Sequence, residues 1–121
     1  MKIALTLLKN DINGPIESSF GRAAYLAVYD DQTDKVVYLA NTARYQQGGA
    51  GVSSAQMVID QNVEVAIIPQ CGEKAYRALN AAHIQLYQAT LATGKANLDA
   101  YKKGELPRLN PGETGVNKRR L

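Results

Sequence analysis

Hydrophobic positions along the chain fall into short continuous runs separated by polar loops. Lys2–Leu8 and Val63–Pro69 are almost wholly apolar, which is typical of strands buried on both faces. We expect the run at Val63–Pro69 to form the buried centre of a sheet. Two further strand-like runs, Ala23–Tyr29 and Lys35–Ala40, flank a short polar loop, and this arrangement predicts a β-hairpin.

The spacing of apolar residues changes to a helical period in three other segments. A helix is predicted from Val52 to about Asn62, and two more at Glu73–Ala82 and Thr93–Lys103. A short strand at Ile84–Tyr87 separates the last two helices. The predicted order is therefore β-β-β-α-β-α-β-α, which indicates an α/β fold with one five-stranded mixed sheet.

The direction of the strands predicts where their loops meet. Three strands in a meander make the third run with the first, and β-α-β crossovers make the fourth and fifth parallel. If the fourth strand also runs with the first, residues 9–22, 41–51 and 69–74 share one edge of the sheet. Ligands of open α/β sheets bind outside the carboxyl ends of strands, so we expect binding residues at this edge.

The segment Gln47–Ser54 is rich in glycine and leads into the first helix. Glycines allow backbone N–H groups to turn outward, and a helix N-terminus adds partial positive charge. We therefore predict an anion site involving Gly48, Gly49, Gly51 and Ser53. The spacing is neither a Walker A loop nor a dinucleotide fingerprint. The alternative is that these glycines only allow the loop to pack closely against the sheet.

The two other loops contribute further candidate residues. Arg22 could hold an anion through its planar guanidinium, or it could pair with a carboxylate. Gly72 would add backbone N–H groups at the start of the second helix. Cys71 precedes it, and a thiolate near a helix N-terminus has a lowered pKa and can bind a soft metal. A lone cysteine is, however, more often a small buried residue.

Length and composition favour one globular domain of residues 1–104 in a chain of 121 residues with net charge +3. Residues 105–121 are basic and rich in Gly, Pro and Asn, and we expect them to form a flexible tail that is dispensable for folding. A nucleic-acid-binding arm is the alternative for this tail. The single cysteine and the lack of a long apolar run predict a cytoplasmic protein that does not enter a membrane.

No arrangement of residues in the sequence predicts catalysis. The only histidine is His83, which we interpret as a turn residue, and no Cys/His pair has the close spacing of a zinc site. Three aspartates, Asp30, Asp31 and Asp34, fall in the predicted hairpin turn. We therefore expect a protein that is not an enzyme.

Several short motifs nevertheless occur in a characteristic order. They are Lys2–Leu5, Ser19–Ala23, Asn41, Gly48–Gly51, Gly72 and Gly104–Leu106. Their order and spacing resemble the dinitrogenase iron–molybdenum cofactor biosynthesis family, which includes NifX, NifY and the C-terminal domain of NifB. The resemblance covers roughly residues 1–106.

The resemblance implies a ribonuclease H-like fold with a five-stranded mixed sheet. It also implies binding or carriage of a metal–sulfur cluster, of the iron–molybdenum type or a precursor, for a client metalloenzyme or a cluster-assembly protein. Nuclease chemistry would need carboxylates around two metal ions, one usually on the first strand, and Lys2–Leu8 contains none. Fold alone does not indicate that activity.

The sequence departs from the family at positions that often hold soft ligands. Many members resemble Ser-x-His-Phe-Gly-Arg with a histidine where Ser19 stands, and several carry cysteine or histidine near Ala23 and Gln46–Gln47. What remains is Arg22, the glycine segment and Cys71, which is the only candidate for a direct metal bond. We therefore expect transient binding of an anionic cluster. The alternative is an interaction or regulatory domain that keeps the fold and has lost cluster binding.

Overall fold

The computed structural model describes residues 1–110, which form a five-stranded mixed sheet and three α-helices. The strands are β1 (Lys2–Leu7), β2 (Tyr25–Asp30), β3 (Lys35–Ala40), β4 (Val65–Ile68) and β5 (Gln85–Gln88). The helices are α1 (Ala50–Asp60), α2 (Glu73–Ala81) and α3 (Gly94–Lys102). Short 3-10 turns cover Phe20–Arg22 and Thr42–Tyr45. The predicted α/β class and mixed sheet are confirmed.

The strands lie side by side in the order β3-β2-β1-β4-β5. β2 is antiparallel to both β1 and β3, whereas β4 is parallel to both β1 and β5. Four strands therefore end at the same edge of the sheet. The sequence made this arrangement conditional on the fourth strand running with the first, and the structure meets that condition. The central strand is β1 and not β4, because the hairpin β2–β3 adds to one side of β1 and the crossover strands add to the other.

The two faces of the sheet bury separate layers of side chains. On one face, strand residues such as Ala4 and Ile68 pack with α1 and α2 around Leu79. On the other face, Leu5 and Ile67 pack against α3. All five of these side chains are at most 1% exposed. Alternation along each strand thus divides the apolar residues between two helical layers.

The chain turns sharply after α3. Gly104 has φ +73, its N–H donates to the carbonyl of Tyr101, and the N–H of Glu105 donates to the carbonyl of Ala100. This pair of bonds is a Schellman motif, which requires a left-handed residue that glycine adopts without steric cost. The turn sends the chain back towards β5.

The residues after this turn pack onto the domain. The Gln88 N–H donates to the Pro107 carbonyl at 2.8 Å, and the Leu109 N–H donates to the Leu86 carbonyl at 2.9 Å. Leu106 is 8% exposed and Leu109 is 3% exposed. The prediction of a flexible tail from residue 105 is therefore wrong for residues 106–109, because two leucines find places in the core. The rest of that prediction, for residues 111–121, lies outside the described residues.

None of the helices formed by residues 1–110 has the length and apolar character needed to cross a membrane.

His83 lies in the turn between α2 and β5 with φ +63, so its interpretation as a turn residue is confirmed. Phe20 is 2% exposed and belongs to the core.

Candidate anion-binding site

An open cleft of about 330 Å³ lies at the carboxyl edge of the sheet. Three segments line it, Ser19–Arg22, Gln47–Gly51 and Gln70–Gly72. They belong to the three loops that the strand directions predicted to meet there. Six of the seven candidate residues line the cleft. Ser53 does not, and its hydroxyl instead donates to the side-chain oxygen of Gln46 at 3.0 Å.

Two helices begin at this cleft without a side-chain cap. Gly49 is the N-cap of α1 and Gly72 is the N-cap of α2, and neither makes a side-chain capping bond. By contrast, Thr93 caps α3 by accepting from the Ala96 N–H at 3.1 Å. The first-turn N–H groups of α1 and α2 therefore remain available, and they carry the partial positive charge of the helix ends.

The glycines that line the cleft differ in whether backbone conformation or packing requires a glycine at their position. Gly49 has φ +75, a left-handed conformation that side chains rarely adopt. A Cβ at Gly51 would lie 3.7 Å from the Cβ of Ala75, an ordinary contact. At Gly48 and Gly72 no heavy atom lies within 4 Å of the Cβ position, and neither has a positive φ. Packing and conformation thus require no glycine at these two positions, where a side chain would occupy open space at the cleft.

Gly21 is a site residue that the sequence interpretation included in a motif but did not single out. A Cβ there would lie 2.8 Å from the Gly51 nitrogen and 3.1 Å from the Ala50 carbonyl carbon. Only glycine lets the Phe20–Arg22 turn contact the first turn of α1 so closely. A glycine between Phe20 and Arg22 was visible in the sequence, but the backbone it contacts lies about thirty residues away and could not be read from local spacing.

Asn41 holds these segments together from below the surface. It is 5% exposed, and its side-chain nitrogen donates to the Ala23 carbonyl at 2.9 Å and to the Ser54 hydroxyl at 3.0 Å. Its side-chain oxygen accepts from the Ala43 N–H at 3.2 Å. The side chain therefore links the segment between the Phe20–Arg22 turn and β2 to α1 and to the Thr42–Tyr45 turn, which fixes the relative positions of the loops around the cleft.

Among residues 1–110, Arg22 bonds to backbone carbonyls and not to the carboxylate that was one of its two predicted partners. Its Nη1 donates to the carbonyls of Arg44 and Gln46, the latter at 2.8 Å. Both bonds use one nitrogen of a guanidinium that carries five N–H groups. The side chain therefore anchors the neighbouring loop and also brings a positive charge to the lining of the cleft.

Cys71 lies at the cleft but behaves as a core residue. It is 5% exposed, and burial raises the pKa of its thiol to about 11. Of the two interpretations of Cys71, the small buried residue agrees with the structure. The lowered pKa of a thiolate near a helix N-terminus is not found, because desolvation of the thiolate outweighs the effect of the helix end. Within residues 1–110, no three Cys, His, Asp or Glu side chains lie together as a metal-binding group.

The raised pKa of Cys71 predicts slow and strongly pH-dependent alkylation by iodoacetamide. The rate in the folded protein should rise about tenfold for each pH unit up to pH ~11, because only the thiolate reacts. Since the folded pKa lies above the ordinary value of 9.0, this thiol also contributes stability that is lost between pH 9 and about 11. Protein unfolded in guanidinium should react faster at pH 8. Equal rates in both states would contradict the burial.

Comparison with known proteins agrees with this architecture. The family described as dinitrogenase iron-molybdenum cofactor matches residues 1–104. The apo form of the orange protein from Desulfovibrio gigas is 29% identical with a TM-score of 0.83, covering 88% of this chain and 91% of that one. A NifB-type protein from Thermotoga is 24% identical with a TM-score of 0.80 over 98% of each chain, which is a likeness of fold.

A protein of Methanocaldococcus jannaschii without an assigned function is also similar. It is 26% identical over 109 residues, which cover 88% of this chain and 89% of the relative. The family match extends over most of the chain and includes every segment that lines the cleft. The chain belongs to the dinitrogenase iron-molybdenum cofactor family.

Proposed function

We propose that this protein binds and carries an anionic metal–sulfur cluster, or its precursor, in the cleft on a ribonuclease H-like fold, without catalysing a reaction. One observation carries the proposal. Arg22 and the residues at the uncapped N-termini of α1 and α2 line the same opening. Membership of the family supports iron–molybdenum-type cargo, with a client metalloenzyme or an assembly protein as the partner.

Hydrogen bonds to sulfur are the interactions that the cleft can offer such a cargo. Thiometallates and iron–sulfur precursors carry negative charge, and N–H groups at helix N-termini and arginine are suited to anions. The open space beside Gly48 and Gly72 leaves the backbone accessible to a bulky ligand. The fit is therefore to an anion that approaches the backbone closely.

The cleft is less suited to a direct bond between the protein and a metal ion. Burial keeps the thiol of Cys71 protonated, so it would have to lose this proton before it could bind a metal. One thiolate also cannot complete a four-coordinate metal site. The cargo must therefore keep its own sulfur ligands or receive the missing ones from a partner. Such retention would be labile, which suits delivery more than storage.

An interaction domain without cargo is the second candidate. The observation that favours it is the small number of metal-ligating side chains at the cleft. Ser19 lines the cleft at the position where the motif typical of the family has a histidine. Residues 1–110 also contain no group of three side chains that could hold a metal ion. This candidate predicts a cleft that does not bind thiometallates.

Anaerobic titration with tetrathiomolybdate tests the proposal. The wild type should bind saturably, and Arg22→Ala should weaken binding about tenfold or more, as expected for loss of a charge-assisted hydrogen bond. Arg22→Lys keeps the charge without the planar fork and should fall between them. Gly49→Val should also weaken binding, but its positive φ adds backbone strain. Gly48→Val and Gly72→Val place a side chain in the opening without that strain.

Two further variants complete the experiment. Ser53→Ala is the matched control, because Ser53 lies outside the cleft lining, and it should bind as the wild type does. Cys71→Ser should matter little if hydrogen bonds dominate, and most if a metal–thiolate bond forms. Circular dichroism and metal analysis should accompany each titration. Absence of saturable binding by the folded wild type would reject the carrier proposal and favour the interaction domain.

A further inference from the structure

The two edge strands of the sheet, β5 and β3, differ in whether another segment of the chain pairs with their outer side. The β5 edge is covered, because residues 107–109 pair with it through the Gln88 and Leu109 N–H groups. The β3 edge pairs only with β2 among residues 1–110. The β2–β3 register is continuous over six residue pairs, so no bulge interrupts β3, and the strand contains no proline. Its single charge is Lys35, so the usual protections of an edge strand are few.

The hydrogen-bond alternation identifies which backbone groups of β3 face outward. The Asn41 N–H donates to the Ala24 carbonyl at 2.9 Å, and this pair continues the β2–β3 register. In an antiparallel ladder every second pair is hydrogen-bonded, so Lys35, Val37 and Leu39 direct their backbone groups to β2. Residues 36, 38 and 40 therefore direct theirs to the free edge. This outward set is a ready template for another strand.

We propose that the β3 edge pairs with the β3 edge of a second copy of this chain, antiparallel about a two-fold axis at Val37. In this register Val36 of one copy lies opposite Tyr38 of the other, so their outward N–H and C=O groups bond in both directions. Val37 lies opposite its own copy in a non-hydrogen-bonded pair, where side chains approach most closely. The pairing closes the free edge and joins two sheets into one of ten strands.

The side chains of β3 are self-complementary in this register. Val37 is 58% exposed, among the most exposed large apolar side chains of residues 1–110, and the pairing covers it with an identical valine. Lys35 lies opposite Leu39 of the second copy and not opposite another lysine. The two Lys35 residues are separated by four residues of strand, or about 13 Å, where salt screens their repulsion.

The proposed dimer leaves both clefts accessible. The two β3 strands run in opposite directions, so the carboxyl edges of the two sheets, and the clefts, lie at opposite ends of the assembly. Pairing of β3 therefore does not depend on cargo, and this inference stands or falls apart from the proposed function.

Sedimentation velocity across the micromolar to millimolar range tests the proposal on the full chain. The wild type should show a concentration-dependent monomer–dimer equilibrium. Val37→Lys places two like charges directly opposite each other and should lower the association constant about tenfold or more. Leu91→Lys is the control, since it adds the same charge at an apolar side chain that is 46% exposed elsewhere, and it should dimerise like the wild type.

Disulfide cross-linking tests the register. With oxidised glutathione as the oxidant, Val37→Cys should form a covalent dimer, because residues opposite each other in a non-hydrogen-bonded pair are close enough for a disulfide. Lys35→Cys, on the same strand and face, should not, because about 13 Å separates the two copies. A wild type that stays monomeric, a dimer insensitive to Val37→Lys, or equal cross-linking by both cysteine variants would overturn the proposal.

Discussion

Replacing Ile67 with aspartate is expected to leave the protein insoluble or molten. Ile67 is 0% exposed and lies in β4 between Leu5 of β1 and Tyr87 of β5. An unpaired carboxylate buried there would cost several kcal/mol, against a total stability of about 5–15 kcal/mol for a domain of this kind. The sequence predicts that β4 is the central strand, whereas in the structure it lies between the central strand β1 and the strand β5. The same result is expected at this interior position, because β1 and β5 exclude water from both sides of β4.

The measurement is near-ultraviolet circular dichroism of the tyrosines, together with urea unfolding. Leu8→Asp is the matched control, since Leu8 is 42% exposed just beyond β1, and it should fold and unfold as the wild type does. A soluble Ile67→Asp protein with a cooperative unfolding transition would show that β4 is not a buried strand.

Ending the chain at Gly104 is expected to lower its stability by about 3–5 kcal/mol, because burial of one leucine contributes about 1.5–3 kcal/mol. The change removes Leu106 and Leu109 from the core and also the backbone bonds to Leu86 and Gln88. This reverses the sequence-based expectation of a dispensable tail. The exposed β5 edge should also make the shortened protein prone to association.

A chain ending at Asn110 separates this contribution from that of residues 111–121. It retains every contact described for residues 105–110 and should match the full chain in a urea titration if the stabilising part ends there. In the full chain, Leu106→Ala with Leu109→Ala should reproduce much of the loss while keeping the backbone pairing. If the chain ending at Gly104 melts within a few degrees of the full chain, the packed segment contributes little and the tail is dispensable after all.

The sequence alone determined the elements and the location of the cleft. Apolar runs such as Lys2–Leu8 are continuous because strands covered on both faces have no polar side, and helical spacing appears where one face is buried. Strand directions then follow from the hairpin and from the crossover rule. Because parallel strands end at one edge, three loops far apart in sequence were predicted to meet, and they line the same cleft.

Only the tertiary structure decided the properties that depend on distant neighbours. The pKa of Cys71 rises because core residues surround it, a condition that no local spacing reports. Gly21 is required by backbone that begins about thirty residues later. Average composition made residues 105–121 look unable to pack, yet a Schellman turn at Gly104 brings Leu106 and Leu109 onto β5. Local periodicity records which face of an element is buried, whereas burial of single side chains depends on contacts that form only when the elements meet.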